Sequence, residues 1–367
     1  LEMDDIHRTS ILHPGPVVIP AALAAGEASG VSGADLLDAV VIGYEAMIRV
    51  GRSVGPGHYA LWHNTSTCGP FGAAAAVARI RRLPADGMLW ALGNAGTQSS
   101  GPWQVRHEPA MSKQLHTARA AHAGLVAAVL AAKGFTGPAF ILEGPQGFYA
   151  AMAPDPDPEA VVRDPDAPFL VHETSFKPWA ACRHAHSTID AALLLHGRGV
   201  RPDDVAAIAI ETHRDAVRFC DRPAPVTTID AKFSLQHAVA VVRRDGTPGL
   251  ASFEAEGISE PVAAGLRALA TVTATDDFTR AYPERYGASV TVRLRDGRVE
   301  RAVVRDSLGD PENPLPPEGV VAKARGLLAR GGAEQPAADR IVEAALDLPR
   351  AGDLSRFAAA LRRLSRA

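Results

Sequence analysis

Five side chains able to carry or exchange a proton, Glu2, Asp4, Asp5, His7 and His13, crowd the opening of the chain. Carboxylates and imidazoles this close together can divide a proton-transfer task. One group moves the proton while another fixes its partner's tautomer and orientation. Pro14-Gly15 follows at once, so His13 is expected to end a loop or turn rather than to lie inside a helix. A solvated polar tail could have the same composition, and two histidines at this separation are weak evidence for a metal.

Other candidates are scattered. His63 precedes the polar run Asn64-Thr65-Ser66-Thr67-Cys68-Gly69. Unpaired N–H groups at a helix start make a seat for a carboxylate, although on these residues alone a capped helix with a surface histidine is the commoner reading. Lys113 stands just ahead of a long Ala-rich segment, as a point charge for a substrate carboxylate or as an ordinary solvated lysine. His116 is its neighbour. Lys177 and the cluster Cys182-Arg183-His184-Ala185-His186 lie in the second half. Zinc takes a further spaced ligand set that is not evident here, so no metal is expected. Arg183 and His184 are candidates for substrate contact or for a polar contact between domains. Lys232 and His237 flank a further helix start. Cys68 reads as a small buried thiol, not a nucleophile.

The elements that must position these groups divide in three. From about Pro20 to Lys133 the pattern is helical. Ser32 caps the run Leu36 to Val50, Gly69-Pro70 introduces a small-residue helix from Phe71 to Leu83, and Ala85 to Gln98 and Ser112 to Lys133 follow. The turn-rich stretch Pro154-Asp155-Pro156-Asp157-Pro158 marks a change. Beyond it, Val205 to Thr212 reads as a strand, and Ser289 to Val304 as a hairpin around Asp296-Gly297. Ser187 to Arg198 and Ser234 to Arg243 read as helices. After Pro311 to Pro317 the helical pattern returns. The expectation is a mainly α protein: a large all-helical domain of residues 1–153 and 311–367, with a smaller α+β lid domain, 154–310, inserted.

With 367 residues the chain is long enough for two domains and a large core. A net charge of −3 gives no basic footprint for nucleic acid. No apolar run reaches the roughly 20 residues that cross a bilayer, and the opening lacks the pattern of a signal peptide. Three widely spaced cysteines suit reduced thiols, so a cytoplasmic location is expected.

In combination, the Asp4-Asp5-x-His7 opening with His13-Pro14-Gly15, the block His63 to Ala73, Met111 to His116 and Lys232 to His237 resemble the MmgE/PrpD family. Its members include 2-methylcitrate dehydratases, cis-aconitate decarboxylases and iminodisuccinate epimerases. The resemblance runs through nearly the whole chain and implies helices ahead of residue 1, which are expected to be missing from this chain. It implies a cofactor-independent lyase, foremost a hydro-lyase, acting on a small di- or tricarboxylate, with an epimerase, a decarboxylase or a truncated non-catalytic homologue as alternatives. It further implies a homodimer. His13, oriented by Asp4 or Asp5, becomes the acid/base, with His63 beside it. Lys113, Glu2, His7, Arg183, His184, Lys232 and His237 become the substrate-binding candidates. His13, His63 and Lys113 should then converge on one cavity. Ile6 and Glu2 depart from the pattern, in which Thr and Asp are common, and the His13 equivalent usually stands one residue closer.

Overall fold

The computed structural model describes residues 2–106, 108 and 110–362. Residue 1 and residues 363–367, at the two ends of the expected helical domain, lie outside them. The fold is mainly α with a smaller α+β part. The chain divides into two compact units: Asp5–Thr174 with residues 317–362, and residues 2–4 with Ser175–Pro316.

The helical unit is built on α1 (Gly15–Ser29), α2 (Gly33–Ser53), α3 (Asn64–Ile80), α4 (Ala85–Gly96) and α5 (Ser112–Ala131). Ser32 caps α2 by accepting from the Asp35 amide, which satisfies one of the unpaired donors at the helix start. Almost every residue of α3 is buried, and α1, α2, α4 and α5 all pack against it. Small side chains make that possible. A Cβ on Gly72 would stand 2.6 Å from Met47 Cβ and 2.7 Å from the Gly43 carbonyl, so α2 and α3 cross almost backbone to backbone.

Two expectations are corrected here. Gly69-Pro70 does not introduce α3; the helix begins at Asn64 and carries Pro70 inside it. A proline there removes one helical hydrogen bond, and burial on all sides outweighs that loss. Residues 154–174 also belong with the helices, not with the sheet. Side chains of α2 hold them. Arg49 donates to the carbonyls of Val161 (3.0 Å) and Arg163 (2.8 Å), and Glu45 accepts from the Leu170 amide (2.8 Å).

The second unit contains a four-stranded sheet of β1 (Val205–Thr212), β2 (Ala270–Ala274), β3 (Ala288–Leu294) and β4 (Val299–Val304), ordered β2-β1-β3-β4. β1 runs parallel to β2 and antiparallel to β3, and β3 and β4 form the hairpin read from Asp296-Gly297. Helix α6 (His186–Gly197) packs on β3 and β4, and α8 (Leu235–Asp245) packs on α6. Between β1 and α8 lies the short α7 (Arg214–Cys220). Each unit has its own apolar core. Among the described residues no helix is long and apolar enough to cross a membrane.

Candidate active site

The acidic opening is shared between the two units. Glu2 and Asp4 belong to the α/β unit, and Asp5, His7 and His13 to the helical unit. Within the helical unit His13 ends a loop one residue ahead of the Pro14 cap of α1 and is half-buried. Its Nδ1 lies 2.6 Å from the Asp5 carbonyl. A carbonyl oxygen only accepts, so Nδ1 carries the hydrogen. In the neutral ring the lone pair is therefore on Nε2. The Asp5 carboxylate is held by two other groups. Its Oδ1 accepts from the Gly15 amide (3.0 Å) and its Oδ2 from the Tyr44 hydroxyl (2.7 Å). Asp5 thus orients His13 through its main chain.

The same loop is docked on the start of α3. The His13 amide donates to Thr65 Oγ1 (3.1 Å), and Asn64 Nδ2 donates to the Ser10 carbonyl (2.8 Å). His63, the cap residue of α3, is thereby brought to the end of the segment that carries His13. The His63 carbonyl accepts from the amides of Ser66 (2.7 Å) and Thr67 (3.1 Å). The expected helix start after Cys68 is thus displaced to Asn64, the first residue after His63.

His63 is only 2% exposed. Its ring lies tilted against Trp103 with centroids 4.3 Å apart, and its Nδ1 lies 3.2 Å from Nδ1 of His116. Two imidazole nitrogens in contact share one hydrogen, so one ring donates while the other accepts. Burial lowers the pKa of His116, which favours the neutral pair. Lys113 is half-buried one turn before His116 on α5. A cation in the first turn opposes the helix dipole, so helix stability does not account for its position.

His7 is committed elsewhere in the loop. Its Nδ1 accepts from Ser10, whose Oγ lies at 2.7 Å, and its Nε2 reaches Glu173 at 3.3 Å. Desolvation lowers the His7 pKa. Glu173 also pairs with Arg52, and its pKa is lowered chiefly by the His7 hydrogen bond. These contacts clamp His7 within the loop.

In the α/β unit Lys177 Nζ holds Asp4 at 2.7 Å, with the two side chains 1% and 8% exposed. Asp4 is thus the counter-ion of Lys177. Glu2 is buried with φ of 73°, a left-handed backbone that a residue bearing a side chain seldom adopts. Arg183 is held within the same unit. It forks onto both carboxylate oxygens of Asp310 (2.6 Å each) and donates to Ser307 Oγ (2.9 Å). Both partners of this pair are buried.

His184 Nδ1 meets His213 Nε2 at 3.4 Å among the rings of Phe219, Tyr282 and Tyr286. His213 Nδ1 caps α7 by accepting from the Ala216 amide, and burial with the nearby Arg183 lowers its pKa to about 3. His237 is likewise saturated: Nε2 donates to the Ser252 carbonyl (2.9 Å) and Nδ1 accepts from Arg267 (3.0 Å). Burial lowers its pKa to about 4. It is a buried histidine with both ring nitrogens occupied. Lys232 is half-buried at the end of a short helix, its carbonyl accepting from the Cys182 amide (2.8 Å). Among the described residues no three His, Cys, Asp or Glu side chains are grouped as a metal site.

Residues 1–161 match the MmgE/PrpD N-terminal domain and residues 179–348 the MmgE/PrpD C-terminal domain. The chain belongs to the MmgE/PrpD family. It is 25% identical over 380 residues to the cis-aconitate decarboxylase of Aspergillus terreus, covering 96% of this chain and 77% of that protein. The human cis-aconitate decarboxylase is 27% identical over 317 residues, 81% of this chain and 63% of that protein. The 2-methylcitrate dehydratase of Cupriavidus necator is 32% identical over 136 residues, 34% of this chain and 28% of that protein.

Several residues that hold the candidate groups of this MmgE/PrpD protein in place carry little signal in the sequence. Tyr44 is one apolar-face position of α2, Thr65 one hydroxyl in a polar run, and Trp103 one aromatic at the start of a short 3-10 helix. Asp310, which takes up Arg183, lies 127 residues from it. Only the block around His63 marked Thr65 in advance.

Proposed function

We propose that this protein is a cofactor-independent lyase of a small di- or tricarboxylate, with His13 as its acid/base and water as the leaving group. The observation that carries this reading is the hydrogen bond from His13 Nδ1 to the Asp5 carbonyl. It leaves the Nε2 lone pair as the basic site of the neutral ring, the state needed to take a proton from carbon next to a carboxylate. The electron pair left on that carbon forms the double bond as hydroxide departs, and a proton makes it water. An enolate-like dianion on this route needs fixed cationic and N–H donors. In this reading Lys113 supplies the cation, the imidazolium formed on His13 returns its proton to the departing hydroxide, and neutral His63 with its neighbour His116 supplies hydrogen bonds.

Loss of carbon dioxide is the second reading. The Aspergillus and human relatives that match most of this chain are cis-aconitate decarboxylases. There His13 would start as imidazolium and deliver a proton to the carbanion after carbon dioxide leaves. Assembly as a homodimer through the helical unit is also part of the proposal. Met111, the residue before α5, and Leu115 on α5 stand exposed and would find cover there.

A screen in deuterated water decides among these. The protein is incubated with a panel of di- and tricarboxylates that includes cis-aconitate and 2-methylcitrate. Carbon-bound deuterium, water loss and carbon dioxide release are then followed together. Deuterium exchange or water loss that disappears in His13→Ala supports the first reading, and carbon dioxide release without prior exchange supports the second. Turnover untouched by His13→Ala rejects both assignments of His13.

A further inference from the structure

We infer that Tyr44 is a positioning residue for the imidazole of His13, acting through Asp5. Tyr44 lies in the middle of α2 and is 6% exposed. Its hydroxyl donates to Asp5 Oδ2 at 2.7 Å, while Asp5 Oδ1 accepts from the Gly15 amide at 3.0 Å. Both oxygens of the carboxylate are thereby fixed, and the residue's own carbonyl is left to receive the His13 Nδ1 hydrogen. One residue thus reads the position of α2 and α1 and passes it to the ring.

Three features argue that this is more than packing. Pro14, the cap residue of α1, makes no side-chain cap, and the Asp5 carboxylate serves the vacant amide of Gly15 instead. A negative group there also complements the helix dipole. Gly15 is the residue type the arrangement requires: a Cβ would stand 2.6 Å from Asp5 Oδ1 and 3.0 Å from the Tyr44 hydroxyl. Finally, burial and the Asp5 charge push the Tyr44 pKa well above its ordinary value, so the hydroxyl keeps its proton as a donor. Without that donor Asp5 Oδ2 loses its anchor on α2. The carboxylate can then turn, its carbonyl swings, and the imidazole is no longer held with hydrogen on Nδ1.

The effect on turnover rests on the proposed acid/base role of His13, but the effect on the ring does not. Nitrogen-15 chemical shifts of labelled histidine report the tautomer and pKa of each imidazole directly, with no substrate present. The His13 signal is assigned by its disappearance in His13→Gln. In the unmodified protein the neutral His13 ring is expected with hydrogen on Nδ1. In Tyr44→Phe, which keeps the aromatic ring and removes only the hydroxyl, that tautomer should fall about twofold or more in favour of Nε2–H, with a changed His13 pKa. Asp5→Asn, a second route to the same loss of a fixed carboxylate, should move the signal too. An unchanged His13 tautomer and pKa in folded Tyr44→Phe overturns the inference. So does a failure to fold of Tyr44→Phe combined with a normal His13 signal in Asp5→Asn. If His13→Ala retains turnover, the acid/base reading fails while the tautomer measurement still judges Tyr44.

Discussion

The amide of His13 donates to the hydroxyl of Thr65 at 3.1 Å, which ties the end of the N-terminal loop to the first turn of α3. Because His63 caps that helix, one hydrogen bond links two histidines that are fifty residues apart in the chain. Both ends of the bond come from the helical unit, so the linkage is set within one core.

Removing the acceptor should separate these histidines. Thr65→Val keeps the side-chain shape and leaves the His13 amide without its partner, a loss of roughly 1–3 kcal/mol if the amide stays buried. The expected outcome is a lower thermal midpoint together with reduced turnover on the active carboxylate. Unaltered turnover would show that the loop keeps its place without this bond.

His13→Ala should lower turnover by about two to four orders of magnitude, the usual size of an acid/base contribution. His13 is half-buried and its removal leaves the apolar core intact, so circular dichroism should be unchanged. Turnover within a few-fold of the parent, measured at saturating substrate, would remove His13 from the reaction.

Arg183 and Asp310 should behave as a structural pair. Asp310→Ala leaves a buried guanidinium uncompensated, and breaking a buried pair costs about 3–5 kcal/mol. Denaturant titration should show that loss whether or not substrate is added. A stable Asp310→Ala variant with only a raised KM would instead return Arg183 to the list of substrate ligands.

Acid should loosen the α/β unit. His237 and His213 are folded as neutral rings, with pKa values lowered from 6.5 to about 4 and about 3. A lowered histidine pKa means that the unfolded chain binds protons first. The stability from these rings is fully present above pH 6.5 and is lost as pH falls toward the folded values. Asp190 acts in the opposite sense: burial raises its pKa to about 6, so its charged form opposes folding as pH rises through that value. Melting curves between pH 7 and pH 4.5 should fall steeply with acid, and His237→Gln should flatten the fall. Equal slopes for the two proteins would show that His237 does not carry the effect.

Local patterns were enough to read much of this protein from its sequence. Ser32 ahead of an apolar run marks α2, and Asp296-Gly297 between alternating residues marks the β3–β4 hairpin. These signals lie within a few residues of the structure they specify, which is why they survive in the linear chain. The opening cluster likewise marked His13 at the end of a loop, and the four sequence blocks pointed to the MmgE/PrpD family. Strand β2 was not legible, since Ala270-Thr-Val-Thr-Ala lacks a buried face and owes its strand to pairing with β1.

Tertiary structure decided which chemically able side chains remain available and which are spent on packing. His7, His237 and Arg183 look like ligands in the sequence, yet the ring nitrogens of His7 are drawn to Ser10 and Glu173, those of His237 to Ser252 and Arg267, and the two terminal nitrogens of Arg183 to Ser307 and Asp310. Those partners are mostly distant in the chain, and a residue's type says nothing about where its partner will fold. The start of α3 shows the same limit. Local propensity placed it after Gly69-Pro70, but burial against four neighbouring helices carries the helix through the proline back to Asn64. The sequence by itself determined the groups that could exchange a proton, because that is a property of side-chain chemistry. Which nitrogen of His13 bears the hydrogen was decided only by the Asp5 carbonyl, because a tautomer is fixed by the partner a fold places beside it.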